Sequence, residues 1–183
     1  LRDEGRYLGI GFSCWTEVAG LGPCGHIDIA SWGYGSVQVH PTGEVTVYCG
    51  GANHGQGHET SLAQVAADTL GVPYDDVRVV ENTTKEVTEG VGTYASRTAA
   101  LGGGAVAKCC QKVIEKGTAV AAHEFDVAVD DVTYDDGVFT GPATGQSLAF
   151  GEMASTIHRG IAIPEDMEPG LEEQSYYDPE NCT

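Results

Sequence analysis

Gly50-Gly51-Ala52-Asn53-His54-Gly55-Gln56-Gly57-His58-Glu59-Thr60 lies between an alternating apolar stretch and an amphipathic one. Its glycines decide the fold class, because they mark a turn from strand to helix. Upstream, Val45, Val47 and Cys49 fall on every second position, the period of a strand with one buried face. Downstream, Leu62, Val65, Ala66 and Leu70 follow the spacing of a helix face over residues 57–70. Gly71 suits the C-cap of that helix and Pro73 blocks its continuation. Glycine lets another molecule approach the backbone closely, and the first N–H groups of a helix have no internal partners. Such a turn suits phosphate or another anion. Gln56, His58 and Thr60 add side chains that could read a ligand; with no ligand, the same residues form a tight turn.

The pattern extends outward on both sides. Strands are expected at Tyr34–His40 and Glu44–Cys49, joined by a hairpin at Pro41-Thr42-Gly43, and at Val77–Val80. Tyr7–Glu17 reads as a further strand, with Leu8, Ile10, Phe12 and Cys14 alternating. A helix is expected over Arg97–Ala122, striped by Val106, Cys110, Val113, Ile114 and Gly117. Gly102-Gly103-Gly104 inside it costs about 1 kcal/mol per glycine relative to alanine, which close approach of another backbone would offset. Val132–Tyr134 and Val138–Thr140 suggest a hairpin, Ser147–Ile157 a helix with Ser147 as N-cap, and Leu171–Tyr177 a last strand. The expected fold class is α+β: a mixed or antiparallel sheet packed with a few helices, in one domain over residues 1–183.

Gly90-Val91-Gly92-Thr93-Tyr94-Ala95-Ser96-Arg97-Thr98 is a second glycine-bearing loop that runs into a helix. Thr93, Ser96 and Thr98 supply hydroxyls. Arg97, one of five arginines, sits at a helix start, where a positive charge opposes the dipole unless an anion is near. The alternative is Ser96 as an ordinary N-cap and Arg97 paired with a carboxylate. Two such loops point to one large phosphate-bearing ligand held between them. His54 and His58 are four residues apart, but the glycines around them argue against a regular helix and no third ligand is evident, so no metal site is assigned.

The chain carries 27 acidic against 9 basic residues, a net charge of −18. That balance disfavours nucleic acid and anionic membranes as partners. The acids are spread along the chain, as in proteins adapted to molar salt, where charge is screened over about 3 Å. No apolar run is long enough to span a membrane, and the start lacks the apolar core of a signal peptide. The six cysteines form no CxxC pair and suit small buried residues in a reducing cytoplasm.

Four stretches in order carry a resemblance: His54–Thr60, Ala66–Pro73, Asp75–Val80 and Gly90–Arg97. Together they resemble the molybdopterin-binding large subunit of the xanthine dehydrogenase, aldehyde oxidase and aerobic carbon monoxide dehydrogenase family, most nearly the carbon monoxide dehydrogenase type. Weaker likeness extends from Gly9 to Pro179. The resemblance implies that Gly55, Gln56, Gly57, His58 and Thr60 contact a molybdopterin cofactor, in plain or cytosine dinucleotide form, and that Thr93, Ala95, Ser96, Arg97 and Thr98 clamp it. It implies an oxidoreductase that takes oxygen from water and works with iron–sulfur and flavin subunits. The family's substrate-side loop and C-terminal glutamate base match nothing here, so Glu59 and Glu89 receive no catalytic role. The chain is therefore expected to be a fragment or split subunit, inactive alone. Two alternatives remain: an assembly subunit that keeps the fold without the cofactor, and an unrelated phosphate-binding domain.

Overall fold

A four-stranded sheet, in the order β3 (Val77–Val80), β2 (Val45–Cys49), β1 (Gly33–Val39), β7 (Glu172–Tyr177), carries two helices on one face. The computed structural model describes residues 2–16, 19–23 and 31–180. β1 (Gly33–Val39) and β2 (Val45–Cys49) form the expected hairpin, with Val37 opposite Val47 and Val39 opposite Val45. These valines are buried against the helices, as their alternation requires. The chain then crosses through α1 (His58–Leu70) to β3 (Val77–Val80), which runs parallel to β2. Gly57 and Gly71 bound α1 in the left-handed conformation, at φ 79° and 59°, which a side chain would disfavour. β7 (Glu172–Tyr177) pairs with β1 at the other edge, so the sheet is mixed.

α2 (Gly103–Phe125) is the central helix. It follows a π-helical turn, Thr98–Gly102, and continues three residues beyond the expected end. Val106, Cys110, Val113 and Gly117 face the core, and Ile114 packs at its margin. Two of the three successive glycines meet side chains rather than another backbone. A Cβ on Gly104 would lie 2.3 Å from the Tyr177 ring, and one on Gly102 3.0 Å from Cys49 Sγ. The close backbone approach belongs to β1, where a Cβ on Gly33 would meet the Leu101 carbonyl. Lys112 and Lys116 reach from α2 to the carbonyls of Gln174 and Gly170, at 2.6 and 2.7 Å. The first bond occupies an acceptor on the edge of β7 that would otherwise be open to another strand, and the second holds the segment that leads into it.

A second sheet, β4 (Thr133–Asp135), β5 (Val138–Gly141) and β6 (Gln146–Ala149), packs against α2 through Phe139. Here one expectation fails. Residues 146–149 are a strand, and the helix α3 begins only at Phe150 and ends at Arg159. Leu148 pairs with Phe139 across β5, a partner remote in sequence, so the local helical pattern loses. Ser147 lies in β6, not at an N-cap.

The expected strand over 7–17 also fails where it is described. Residues 7–16 form no ladder, and Leu8, Ile10 and Phe12 are 84, 87 and 92% exposed. Glu17 lies outside the described residues. An alternating sequence becomes a strand only with a partner to bond, and none is present among the described residues. Cys14 on this arm is exposed, contrary to the expectation of buried cysteines, whereas Cys49, Cys109 and Cys110 are buried and free; Cys24 and Cys182 lie outside the described residues. No described helix is long and apolar enough to cross a membrane.

Candidate cofactor site

β2 and β3 are parallel, so the turn after β2 and the residue after β3 emerge at the same end of the sheet. Tyr48 pairs with Val80, which places Cys49 and Glu81 side by side. In open sheets, ligands gather at the carboxyl ends of parallel strands, and both glycine-bearing loops lie here.

The loops touch through their backbones. A Cβ on Gly90 would lie 2.5 Å from Gly50 O, and one on Gly50 would lie 2.6 Å from Glu89 O. Gly92 N–H donates to Gly50 O at 3.3 Å. Ala52 N–H donates to Thr93 Oγ1 at 2.9 Å, and that hydroxyl lies 3.2 Å from Thr98 Oγ1. Thr93 and Thr98 are thus tied to the first loop, while Thr60 stands exposed on α1. The space directly between the loops is small. The enclosed space there, bordered by Gly50, Gly90 and Arg97, is about 20 Å³, enough for one water. A larger guest must lie over the outer surface of the loops. One open cleft of about 230 Å³ adjoins them, lined by Gly50, Thr83, Thr88 and Glu89.

The first loop has the open space such a guest needs. Gly55 and Gly57 have no atom within 4 Å of the position a Cβ would take. The N-terminus of α1 has no side-chain cap, leaving its first N–H groups for an anion. Gln56 is exposed, and its Oε1 accepts the His54 N–H at 2.5 Å. Its amide NH₂ is therefore the group left to reach outward.

The second loop is held under strain. Ala95 and Ser96 are both left-handed, at φ 48° and 52°. Such residues cost roughly 1–3 kcal/mol each and gather at ligand sites and switches. Their carbonyls accept N–H bonds from Leu21 and Gly20 at 3.4 and 3.3 Å. Ser96 is exposed and does not cap the helix. Arg97 points inward instead of toward a ligand. It is 4% exposed, and its Nε donates to Leu21 O at 3.2 Å. Its terminal nitrogens donate to the carbonyls of Gly92, Ser31 and Trp32, and its guanidinium stacks on Tyr94 at 5.1 Å. No carboxylate pairs with it among the described residues. A buried positive charge with no carboxylate partner among the described residues therefore sits behind the loops.

His58 also turns inward. Its Nδ1 lies 3.2 Å from Glu81 Oε1, with both side chains buried, whereas His54 is exposed. Glu81 carried no role in the sequence. Burial raises its pKa above the usual carboxylate value, with His58 opposing the rise and Glu59 adding to it. A carboxyl whose folded pKa exceeds its unfolded value holds an extra proton in the folded state between the two, so stability falls as pH rises through that interval. Glu81→Gln removes this titration. As pH rises above the usual carboxylate value, the variant is expected to gain thermal stability relative to wild type; a constant difference in melting temperature would refute the assignment.

A family model described as the molybdopterin cofactor-binding domain matches residues 1–183. The carbon monoxide dehydrogenase large chain of Afipia carboxidovorans is 36% identical over 100% of this chain and 23% of its own length. The nicotine 6-hydroxylase large subunit of Paenarthrobacter nicotinovorans is 33% identical over 93% of this chain and 22% of its own. The chain thus spans less than a quarter of the length of these relatives. Among solved structures, reconstituted CO dehydrogenase from Oligotropha carboxidovorans superposes with a TM-score of 0.85 at 36% identity, covering 91% of this chain and 21% of that one. Quinoline 2-oxidoreductase from Pseudomonas putida gives 0.81 at 34%, covering 91% and 22%. This chain belongs to the molybdopterin cofactor-binding domain family.

Proposed function

We propose that this chain forms part of the cofactor site of a molybdenum hydroxylase acting on carbon monoxide, an aldehyde or an N-heterocycle. The observation that carries the proposal is the backbone contact of the two loops at Gly50 and Gly90, which makes one surface of them. Gly55, Gln56, Gly57 and Thr60 would hold the pterin and its phosphate through the uncapped start of α1. Thr93, Ala95, Ser96 and Thr98 would bound the same cofactor. His58 and Arg97, both buried, would act from behind, His58 through the turn and Arg97 as positive charge and scaffold. The residues fit an anionic cofactor, in plain or cytosine dinucleotide form, because the uncapped start of α1 lies at one end of the sheet, with the Arg97 guanidinium, which has no carboxylate partner among the described residues, buried behind it. When bound, the molybdenum centre supplies the oxidation, with water as oxygen source; this chain supplies binding and electrostatics. Iron–sulfur and flavin subunits would take the electrons.

Gln56→Ala with Ser96→Ala in the assembled complex tests this. The expected result is lost molybdenum with the complex intact. Unchanged metal content would favour an assembly subunit that keeps only the fold.

We also infer a cytoplasmic, high-salt setting. The charge of −18 and the free cysteines support it. Circular dichroism is expected to show folding that strengthens as potassium chloride rises to molar levels. A cooperative fold in salt-free buffer would rule that out.

A further inference from the structure

One carboxylate touches every flank of the Gly50–Gly57 turn. Glu81 follows β3 and lies beside Cys49, the last residue of β2. Its Oε1 would lie 2.9 Å from a Cβ on Gly51, so it packs directly against the turn. Both carboxylate oxygens lie within 3.3 Å of Nδ1 of His58, the first residue of α1. The Glu81 side chain is 1% exposed. The turn itself, with glycines at 50, 51, 55 and 57, has little stiffness of its own. Without a brace it would visit many shapes, and ordering it would fall to the ligand.

We propose that Glu81, acting through His58, is the positioning residue that holds the Gly50–Gly57 turn in its cofactor-retaining shape. The proposal rests on the cofactor reading above and deepens it. Nδ1 of His58 is engaged by the carboxylate, which fixes the ring at the start of α1 and so fixes where the first helical N–H groups point. The second ring nitrogen makes no hydrogen bond among the described residues. Glu59 on α1 and Arg97 on the second loop are the other charged groups that bear on this cluster. Neither lies within 4 Å ion-pair distance of Glu81 or His58, so among the described residues the brace is the Glu81–His58 pair, which links the end of β3 to the start of α1.

The test uses the assembled complex with three variants. Glu81→Met removes the acceptor at similar volume, Glu81→Gln keeps an acceptor, and His58→Leu removes the other end of the bond. Two quantities are measured: molybdenum per protomer, and hydrogen exchange of the amides of residues 51–58 after the cofactor is stripped. Glu81→Met is expected to lower molybdenum content and speed turn exchange, each by about tenfold, the scale seen when a supporting partner of a bound group is lost. Exchange in α2 should be unchanged. Glu81→Gln should restore both to near wild type. The double variant Glu81→Met/His58→Leu should be no worse than His58→Leu, because both substitutions break one bond.

Wild-type exchange at the turn in Glu81→Met overturns the proposal, as do losses that multiply in the double variant. If Glu81→Met does not assemble, His58→Leu alone must show the faster turn exchange, and wild-type exchange there overturns the proposal. The Gln56→Ala/Ser96→Ala complex separates the two levels. If it keeps its molybdenum while Glu81→Met loosens the turn, the cofactor reading fails and the brace stands. If it loses molybdenum while Glu81→Met exchanges like wild type, only the brace fails.

Discussion

Gly90→Ala is expected to strip the cofactor from the assembled complex and to lower the melting temperature measurably, although alanine is the smallest possible addition. The new methyl would lie 2.5 Å from Gly50 O and 2.7 Å from Gly50 Cα. Both are backbone atoms, so no rotamer change relieves the overlap. The loops must separate, which stretches the Gly92 N–H to Gly50 O bond, already 3.3 Å. Overpacking of this kind costs roughly 1–3 kcal/mol. The larger consequence falls on binding, because the shared surface of the two loops is what the guest would lie on. Gly103→Ala is the control. It sits in helical geometry at φ −61°, with nothing within 4 Å of its Cβ position. There alanine should stabilise by up to about 1 kcal/mol. Thermal melts and metal analysis of both variants decide the matter. Equal behaviour of the two would show that the contact at Gly90 does not matter.

Most of the scaffold that presents these loops was legible in the chain itself. The β1–β2 hairpin and α1 have local signals that agree with their long-range partners: alternating valines facing one core, and glycines at both helix ends. Where local pattern and distant partner disagreed, the sequence misled. Ser147 and Leu148 carry a helix-like rhythm, yet β5 claims them as a strand. Leu8, Ile10 and Phe12 carry a strand rhythm, yet the described residues offer them no neighbour.

The site divides the same way. Glycine spacing exposed the two loops because close backbone contact demands glycine whatever surrounds it. Glu81 stayed hidden because its meaning depends on register. Only the parallel pairing of Tyr48 with Val80 brings it under the first loop, and one more glutamate in an acidic chain raises no alarm. The signal available was a carboxylate directly after a wholly apolar strand end, Val79-Val80, in a β-α-β unit whose helix starts with histidine. Arg97 stands out in the sequence by its charge, but its orientation depends on carbonyls at residues 21, 31 and 32, more than 60 positions away.

That orientation gives Arg97 a large stake in stability. Arg97→Ala would leave the carbonyls of Leu21, Gly92, Ser31 and Trp32 without the donor that now serves them. Hydrogen bonds to charged groups contribute about 1.5–3 kcal/mol each, and water can reach these half-buried or exposed carbonyls only in part. Even with water replacing part of the set, a loss of at least about 3 kcal/mol follows. For a chain of this size that is a fall of roughly 6–12 °C in melting temperature. The same side chain also holds the strained pair Ala95 and Ser96 in place, since it anchors the residue that follows them to the segment whose N–H groups bond their carbonyls. Releasing it would let that pair relax out of the left-handed region. Arg97→Lys should recover little, because one ammonium cannot reproduce a planar fork that serves separate carbonyls. Denaturant unfolding of the wild type and both variants measures this directly. If Arg97→Lys unfolds at the wild-type midpoint, the guanidinium is not what holds the second loop, and its position behind that loop reflects charge alone.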